Sequence, residues 1–130
     1  NILREGTDVT LVAFSISVDY ALQAADTLAT EGISAEVIDL RSLRPLDTET
    51  LVNSVRKTNR MVTIEEGWPQ NGIGAEIAAV MMEQAFDDLD APVLRITGKD
   101  VPMPYAANLE KLALPTVDDG VAAAKSVWYR

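Results

Sequence analysis

The chain has 130 residues, the size of one ordinary domain, and its 48% apolar content favours a globular fold over disorder. It contains no cysteine and no histidine, which excludes a disulfide framework, a cysteine nucleophile, a zinc finger and the commonest acid/base group near neutral pH. The net charge of −9 argues against nucleic acid as a partner and makes a basic protein surface a plausible one.

The N-terminal half predicts strands that alternate with helices. Residues 2–4 can add a short edge strand, for which an antiparallel orientation is one option. Residues 9–14 form a nearly continuous apolar run, typical of a strand buried on both faces. Ser17 can cap the next helix, which Gly32 ends as a C′ glycine. The predicted inward face of this helix comprises Val18, Ala21, Leu22, Ala25, Leu28 and Ala29.

The pattern continues to the C-terminus. A second strand covers residues 35–40, and Asp47 is a good N-cap for a helix that buries Leu51, Val52 and Val55. Residues 61–64 and 92–97 are further strands, separated by a helix over about 73–86. That helix is expected to turn Ile77, Val80, Met81 and Ala85 inward. The last helix opens at a motif like a capping box over residues 116–119.

This element order predicts the fold class. Strands that alternate with helices of 10–15 residues imply parallel strands joined by crossovers. We therefore expect residues 1–130 to form a single α/β domain, an open three-layer α/β/α sandwich with a mostly parallel sheet of about five strands.

The segment after the third buried strand resembles a phosphate-binding turn but lacks its key features. Gly72-Ile73-Gly74 follows the wrong strand for a dinucleotide site, and Ile77 stands where the third glycine belongs. Glu65 and Glu66 are adjacent on a strand end, so they point to opposite faces and make a poor catalytic pair. Trp68 is either a plug over the sheet end or an interface anchor.

The acidic run Asp87-Asp88-Leu89-Asp90 falls at the predicted C-terminal end of the third helix, the negative end of the helix dipole. Acids there oppose the local preference, which indicates that their charges serve something outside the helix. Solvation of a surface loop is the simpler interpretation, and a docking patch for a basic partner is the alternative.

Three stretches together resemble a known family: "AEVIDLRSLRPLD", "KTNRMVTIEEGWPQNGIGAEI" and "LDAPVLRITGKDVPMPYAANLE". They are similar to the C-terminal domain of pyruvate dehydrogenase beta subunits, which is of the transketolase C-terminal type. The resemblance implies a non-catalytic domain that packs subunits together, within a longer beta subunit that has an N-terminal thiamine-pyrimidine domain. It also implies that thiamine diphosphate and Mg²⁺ are bound by that N-terminal domain and by the alpha subunit, and that this chain alone holds no cofactor, no metal and no catalytic residue.

The resemblance further implies partners. They are the alpha subunit, a second beta subunit, and the basic peripheral subunit-binding domain of dihydrolipoyl acetyltransferase; self-association of this chain is also expected. Asp90 matches the acidic docking position of the family, Asp87 and Asp88 are its neighbours, and Arg130 would supply a terminal carboxylate. Candidate subunit-interface residues are Glu65, Glu66, Trp68, Gln70 and Asn71.

Two alternatives remain open at this point. The domain could belong to a branched-chain 2-oxoacid dehydrogenase or a transketolase-like synthase, or it could be a stand-alone α/β ligand-binding module. No stretch reaches the roughly 18 apolar residues that a membrane span needs. No signal peptide is visible. The resemblance implies a bacterial cytoplasmic or a mitochondrial matrix location rather than secretion.

Overall fold

The computed structural model describes residues 1–13, 17–40, 47–64, 73–96 and 117–128. Its described strands form one five-stranded sheet in the order β1-β3-β2-β4-β5. The edge strand β1 runs antiparallel to β3, and the other three pairs are parallel. The strands are β1 (Ile2–Arg4), β2 (Val9–Ala13), β3 (Ala35–Asp39), β4 (Met61–Ile64) and β5 (Leu94–Ile96).

Four α-helices are described, together with one turn of 3₁₀ helix at Phe86–Asp88. The α-helices are α1 (Ser17–Thr30), α2 (Thr48–Thr58), α3 (Ile73–Gln84) and α4 (Val117–Trp128). None of these described helices combines the length and the apolar character that crossing a membrane would require.

The two faces of the sheet carry separate apolar cores, because successive side chains of a strand point to opposite faces. Val9, Leu11 and Ala13 of β2 pack in one core with α1 and α4. Val12, on the other face, packs in a second core with α2 and α3. The three-layer α/β/α sandwich with a mostly parallel sheet is therefore confirmed, as is the antiparallel edge strand.

Local signals place the helix ends as predicted. Gly32 has φ +81°, its amide donates to Ala29, and the amide of Ile33 donates to the Leu28 carbonyl, which is the Schellman arrangement. At the start of α2, the Asp47 carboxylate accepts the Thr50 amide at 3.2 Å.

Other sequence predictions require correction. The third helix ends at Gln84 rather than near Phe86, so its last turn stops before the acidic run that its dipole disfavours. Ala29 is exposed, and Ala24 is buried in its place. Ser17 is the first residue of α1 itself, and its buried hydroxyl makes no hydrogen bond that would cap the helix.

The predicted fifth strand began too early. It was predicted over residues 92–97 but starts at Leu94, and residue 97 lies outside the described residues. Val80, predicted to face inward, is half-buried at the margin of the second core, whereas Ile77, Met81 and Ala85 are fully buried there.

Candidate docking surface

The segment that follows α3 presents the acidic run on a short 3₁₀ turn. The Ala85 amide still donates to Met81 as in a helix, but Ala85 has φ −135°, which ends the α-helical path. The amides of Asp88 and Leu89 then donate to Ala85 and Phe86 in the tighter 3₁₀ pattern. The acidic residues therefore lie in a turn beyond the helix, not in its last turn.

An open groove with a volume of about 540 Å³ lies along this turn. Its apolar side chains include Met82 and Phe86, which are 58% and 61% exposed. The residues that line it are Met82, Phe86, Asp87, Leu89, Asp90, Ala91 and Pro92, and we call this surface the acidic groove. Exposed Met and Phe side chains that share a groove with two carboxylates match the chemistry of a binding surface for a partner that is both apolar and basic.

The backbone of the acidic groove is anchored to the turn between α2 and β4. Asn59 adopts the left-handed conformation at φ 63°, a conformation that asparagine tolerates better than most residues. Its carbonyl accepts the Asp90 amide at 2.8 Å, and its side-chain Nδ2 donates to the Asp88 carbonyl at 2.7 Å. These two bonds fix the position of the turn independently of any charge.

The three predicted acids occupy different electrostatic settings. Asp90 lies 3.5 Å from the Arg60 guanidinium, and Asp88 lies 3.6 Å from that of Arg56. Asp87 is exposed, and within the described residues no ion pair engages it. The structure thus brings Asp87 and Asp90 together on the acidic groove, whereas Asp88 is directed towards Arg56.

A second polar cluster lies beneath α2, and it is occupied by structural contacts. The Glu36 side chain is only 1% exposed. Its carboxylate accepts the Gly6 amide at 3.2 Å and the Ser54 hydroxyl at 2.6 Å, and it forms an ion pair with Lys57. Burial opposes ionisation of this carboxyl, but the hydrogen bonds from Lys57, Ser54 and Gly6 outweigh it, so the pKa of Glu36 lies below its ordinary value.

A chain of hydroxyl groups extends this cluster into the sheet. Because a carboxylate only accepts, Ser54 donates to Glu36; Thr10, 2.6 Å from Ser54, must then donate to Ser54. Thr58 lies 2.7 Å from Thr10 and completes the chain. A small cleft of about 200 Å³ opens beside Glu36 and Lys57, but the bonds above already satisfy the carboxylate. The cluster is therefore best explained as a buried structural network rather than as an acid/base site.

No metal-binding constellation is found in the part of the chain that the structure describes: no three carboxylate, histidine or cysteine side chains converge there.

Several predicted site residues fall outside the described residues, so their roles stay predictions. They are Arg130, the phosphate-turn candidate at Gly72, and the interface candidates Glu65, Glu66, Trp68, Gln70 and Asn71.

The apolar half of the acidic groove was not predicted from the sequence. Met82, in the last turn of α3, and Phe86, in the 3₁₀ turn that follows, are both exposed and both line the groove. Two large apolar residues on the outward face, next to an acidic run, were the available signal.

Comparison with known proteins agrees with this fold. Residues 1–119 match the family model described as "Transketolase, C-terminal domain". Among solved structures, a split gene transketolase in an inactive beta4 tetramer superposes with a TM-score of 0.85 at 41% identity, covering 99% of this chain and 41% of that one. A 2-oxoglutarate:ferredoxin oxidoreductase from Magnetococcus marinus, at 14% identity and a TM-score of 0.66 over 98% of this chain and 20% of its own, shares the fold alone.

Curated relatives match over nearly the whole chain. The pyruvate dehydrogenase E1 component subunit beta-2, mitochondrial, of Oryza sativa subsp. japonica is 67% identical over 98% of this chain. The corresponding beta subunit of Rhizobium meliloti is 59% identical over 98% of this chain. The chain spans 34% of the rice protein and 28% of the bacterial one, roughly a third of the length of the relatives it matches.

Proposed function

Because this chain belongs to the transketolase C-terminal domain family, we propose that it is the assembly and docking domain of a thiamine-diphosphate-dependent pyruvate dehydrogenase beta subunit. The proposal is supported by the relatives named above, which are pyruvate dehydrogenase beta subunits from a mitochondrial and a bacterial source. They favour pyruvate over branched-chain 2-oxoacids as the substrate of the whole enzyme. They are also consistent with a mitochondrial or a bacterial cytoplasmic location.

In this proposal the chemistry belongs to the complete enzyme. That enzyme decarboxylates pyruvate and reductively acetylates the lipoyl group of the acyltransferase, with thiamine diphosphate and Mg²⁺ held by the alpha subunit and the N-terminal domain of the beta subunit. The domain described here contributes contacts to the alpha subunit and to a second beta subunit. The beta4 assembly named for the split gene transketolase supports contacts between copies of this type of domain. The isolated chain is expected to show no turnover with pyruvate and thiamine diphosphate, and measurable turnover would overturn that assignment.

One observation carries the docking role: exposed apolar side chains and carboxylates share the acidic groove. The peripheral subunit-binding domain of the acyltransferase, which the family resemblance implies is basic, would place cationic side chains at Asp90 and Asp87. Apolar groups of the same partner would cover Phe86 and Met82. The net charge of −9 adds long-range attraction for such a partner.

Charge reversal at Asp90 tests the docking role. In the complete alpha-beta enzyme, Asp90→Lys should weaken binding of the subunit-binding domain by at least about tenfold, which corresponds to roughly 1.4 kcal/mol. Decarboxylation measured with a soluble electron acceptor should remain near normal, because in this proposal the cofactor is held by the alpha subunit and the N-terminal domain, not by this domain. Isothermal titration calorimetry measures the affinity.

Asp26→Lys is the matched control, since Asp26 lies on α1, on the opposite side of the sheet, and pairs with Arg4 there. This variant changes the net charge equally and should leave the affinity nearly unchanged. Phe86→Ala should weaken docking without a loss of stability, since Phe86 is 61% exposed. Equal affinities for the wild type, Asp90→Lys and Phe86→Ala would contradict the docking role.

A further inference from the structure

The acidic groove carries its own counter-ions, supplied by the elements against which it packs. Arg60 follows the α2–β4 turn and pairs with Asp90, while Arg56 in the last turn of α2 pairs with Asp88. Two of the three carboxylates of the acidic run therefore pair with guanidinium groups of the same domain, and part of the negative charge of this surface is already balanced.

Arg60 is held in place by more than Asp90. Its side chain is 17% exposed, and its Nη1 donates to the carbonyls of Thr58 and Asp8 at 3.3 and 3.4 Å. A guanidinium fixed in this way stays beside Asp90 when another cation approaches. Arg56 is 59% exposed and is free to turn towards solvent when Asp88 is engaged elsewhere.

Arg60 is not needed to position Asp90. The Asp90 amide is bonded to the Asn59 carbonyl, and Asn59 also holds the Asp88 carbonyl through its side chain. Loss of the Arg60 charge would thus leave the backbone of the acidic groove where it is. The remaining effect of Arg60 on a cationic partner is competition for the Asp90 carboxylate, together with like-charge repulsion.

We propose that Arg60 is a built-in competitor for Asp90 that keeps the affinity of the acidic groove for basic partners below the value its carboxylates would otherwise give. Docking is then an exchange of ion pairs rather than the filling of a bare acidic site. Asp87, which no described cation engages, makes the early contact, and Asp90 is shared between Arg60 and the incoming cation. This inference rests on the docking role proposed above.

The test measures binding of the subunit-binding domain to the complete enzyme at low and at physiological ionic strength. Arg60→Gln should tighten binding between roughly 1.5- and 5-fold, the range expected for the loss of one exposed competing ion pair. The gain should shrink as salt is added. Arg60→Lys, which keeps the charge, should show no gain.

One mutant background and one control variant separate competition at Asp90 from a general change in charge. In an Asp90→Asn background, Arg60→Gln should give a clearly smaller gain, because the contested carboxylate is gone and only like-charge repulsion is relieved. Lys125→Gln removes a positive charge that pairs with Glu31, away from the groove, and should give no gain at physiological salt. If Arg60→Gln fails to assemble, Arg60→Met, which also removes the charge, takes its place with the same expected gain.

The outcomes are distinguishable. If the wild type binds, Asp90→Asn weakens binding and removal of the Arg60 charge does not tighten it, the competitor role is overturned while the docking role stands. An equal gain from Arg60→Gln with and without Asp90 also overturns the competitor role. If the wild-type enzyme does not bind the domain at all, both proposals fail.

Discussion

Replacing Lys57 by Met removes the cation that pairs with the most deeply buried carboxylate described. Glu36 is 1% exposed and Lys57 is 42% exposed, so this pair lies between a surface ion pair and a fully buried one. Surface pairs contribute up to about 1 kcal/mol, and removing one partner of a buried pair costs about 3–5 kcal/mol. Because Gly6 and Ser54 still donate to the carboxylate, we expect a loss of roughly 2 kcal/mol in the free energy of unfolding.

The pH dependence of this loss follows from the direction of the Glu36 shift. In the wild type the pKa of Glu36 is lowered from 4.5, so its stabilising contribution is present above about pH 4.5 and is lost as the pH falls through the lowered value. Without Lys57, the buried carboxylate has lost its counter-ion, and protonation relieves that charge. The difference between Lys57→Met and the wild type should therefore be largest near neutral pH and narrow below about pH 4.5.

Urea unfolding followed by circular dichroism at pH 7 and pH 4 measures both effects. A loss of roughly 2 kcal/mol corresponds to a midpoint shift of about 1 M urea. Lys125→Met, which breaks the more exposed pair with Glu31, is the matched control and should cost less than about 1 kcal/mol. Glu36→Gln combined with Lys57→Met should recover part of the loss. A Lys57→Met variant as stable as the Lys125→Met control, or a loss that does not change with pH, would refute this reasoning.

Two further substitutions test the fold locally. Gly6→Ala should lower the free energy of unfolding by about 1–3 kcal/mol, because the added Cβ would lie 2.3 Å from the Ala35 carbonyl carbon. A thermal unfolding midpoint equal to that of the wild type would contradict this close approach. Asp47→Ala should lower the free energy of unfolding by about 1 kcal/mol, because it removes the N-cap of α2. Asp47→Asn should keep most of the stability, because an asparagine side chain can also cap the helix. Hydrogen bonds from the hydroxyl and the amide of Thr50 lower the pKa of Asp47, so the extra stability from its charge should fade as the pH falls below about 3.8.

Elements defined by local signals were predicted well from the sequence. The bounds of β4 coincide with its apolar run, and the ends of α1 and α2 follow from Gly32 and Asp47, whose conformations depend on their immediate neighbours. The end of α3 was harder to predict from the sequence, because an acidic run opposes the helix dipole without specifying which residue ends the helix.

Contacts between residues that are far apart in the sequence could not be predicted from it. In the sequence, Glu36 looks like an ordinary polar position of a strand. Its contacts come from Gly6, which is 30 residues away, and from Lys57, which is 21 residues away. The ion pairs at Asp88 and Asp90 likewise depend on where α2 ends relative to the 3₁₀ turn. The sequence placed the acids correctly on the surface but could not indicate that arginines already engage two of them.

The hydroxyl chain under α2 restricts which substitutions this domain can tolerate during evolution. Thr10 contacts both Ser54 and Thr58, so replacing any one of them by an apolar residue leaves a buried hydroxyl without its partner. Replacing all three together by apolar residues of similar shape removes that penalty only if Glu36 is replaced as well, because Ser54 also donates to its buried carboxylate. Single substitutions should therefore be poorly tolerated, whereas the joint replacement of all four residues is accepted. The four positions are expected to be inherited as a set, because intermediates in which only some of them are replaced are expected to be less stable than the fully polar or the fully apolar version.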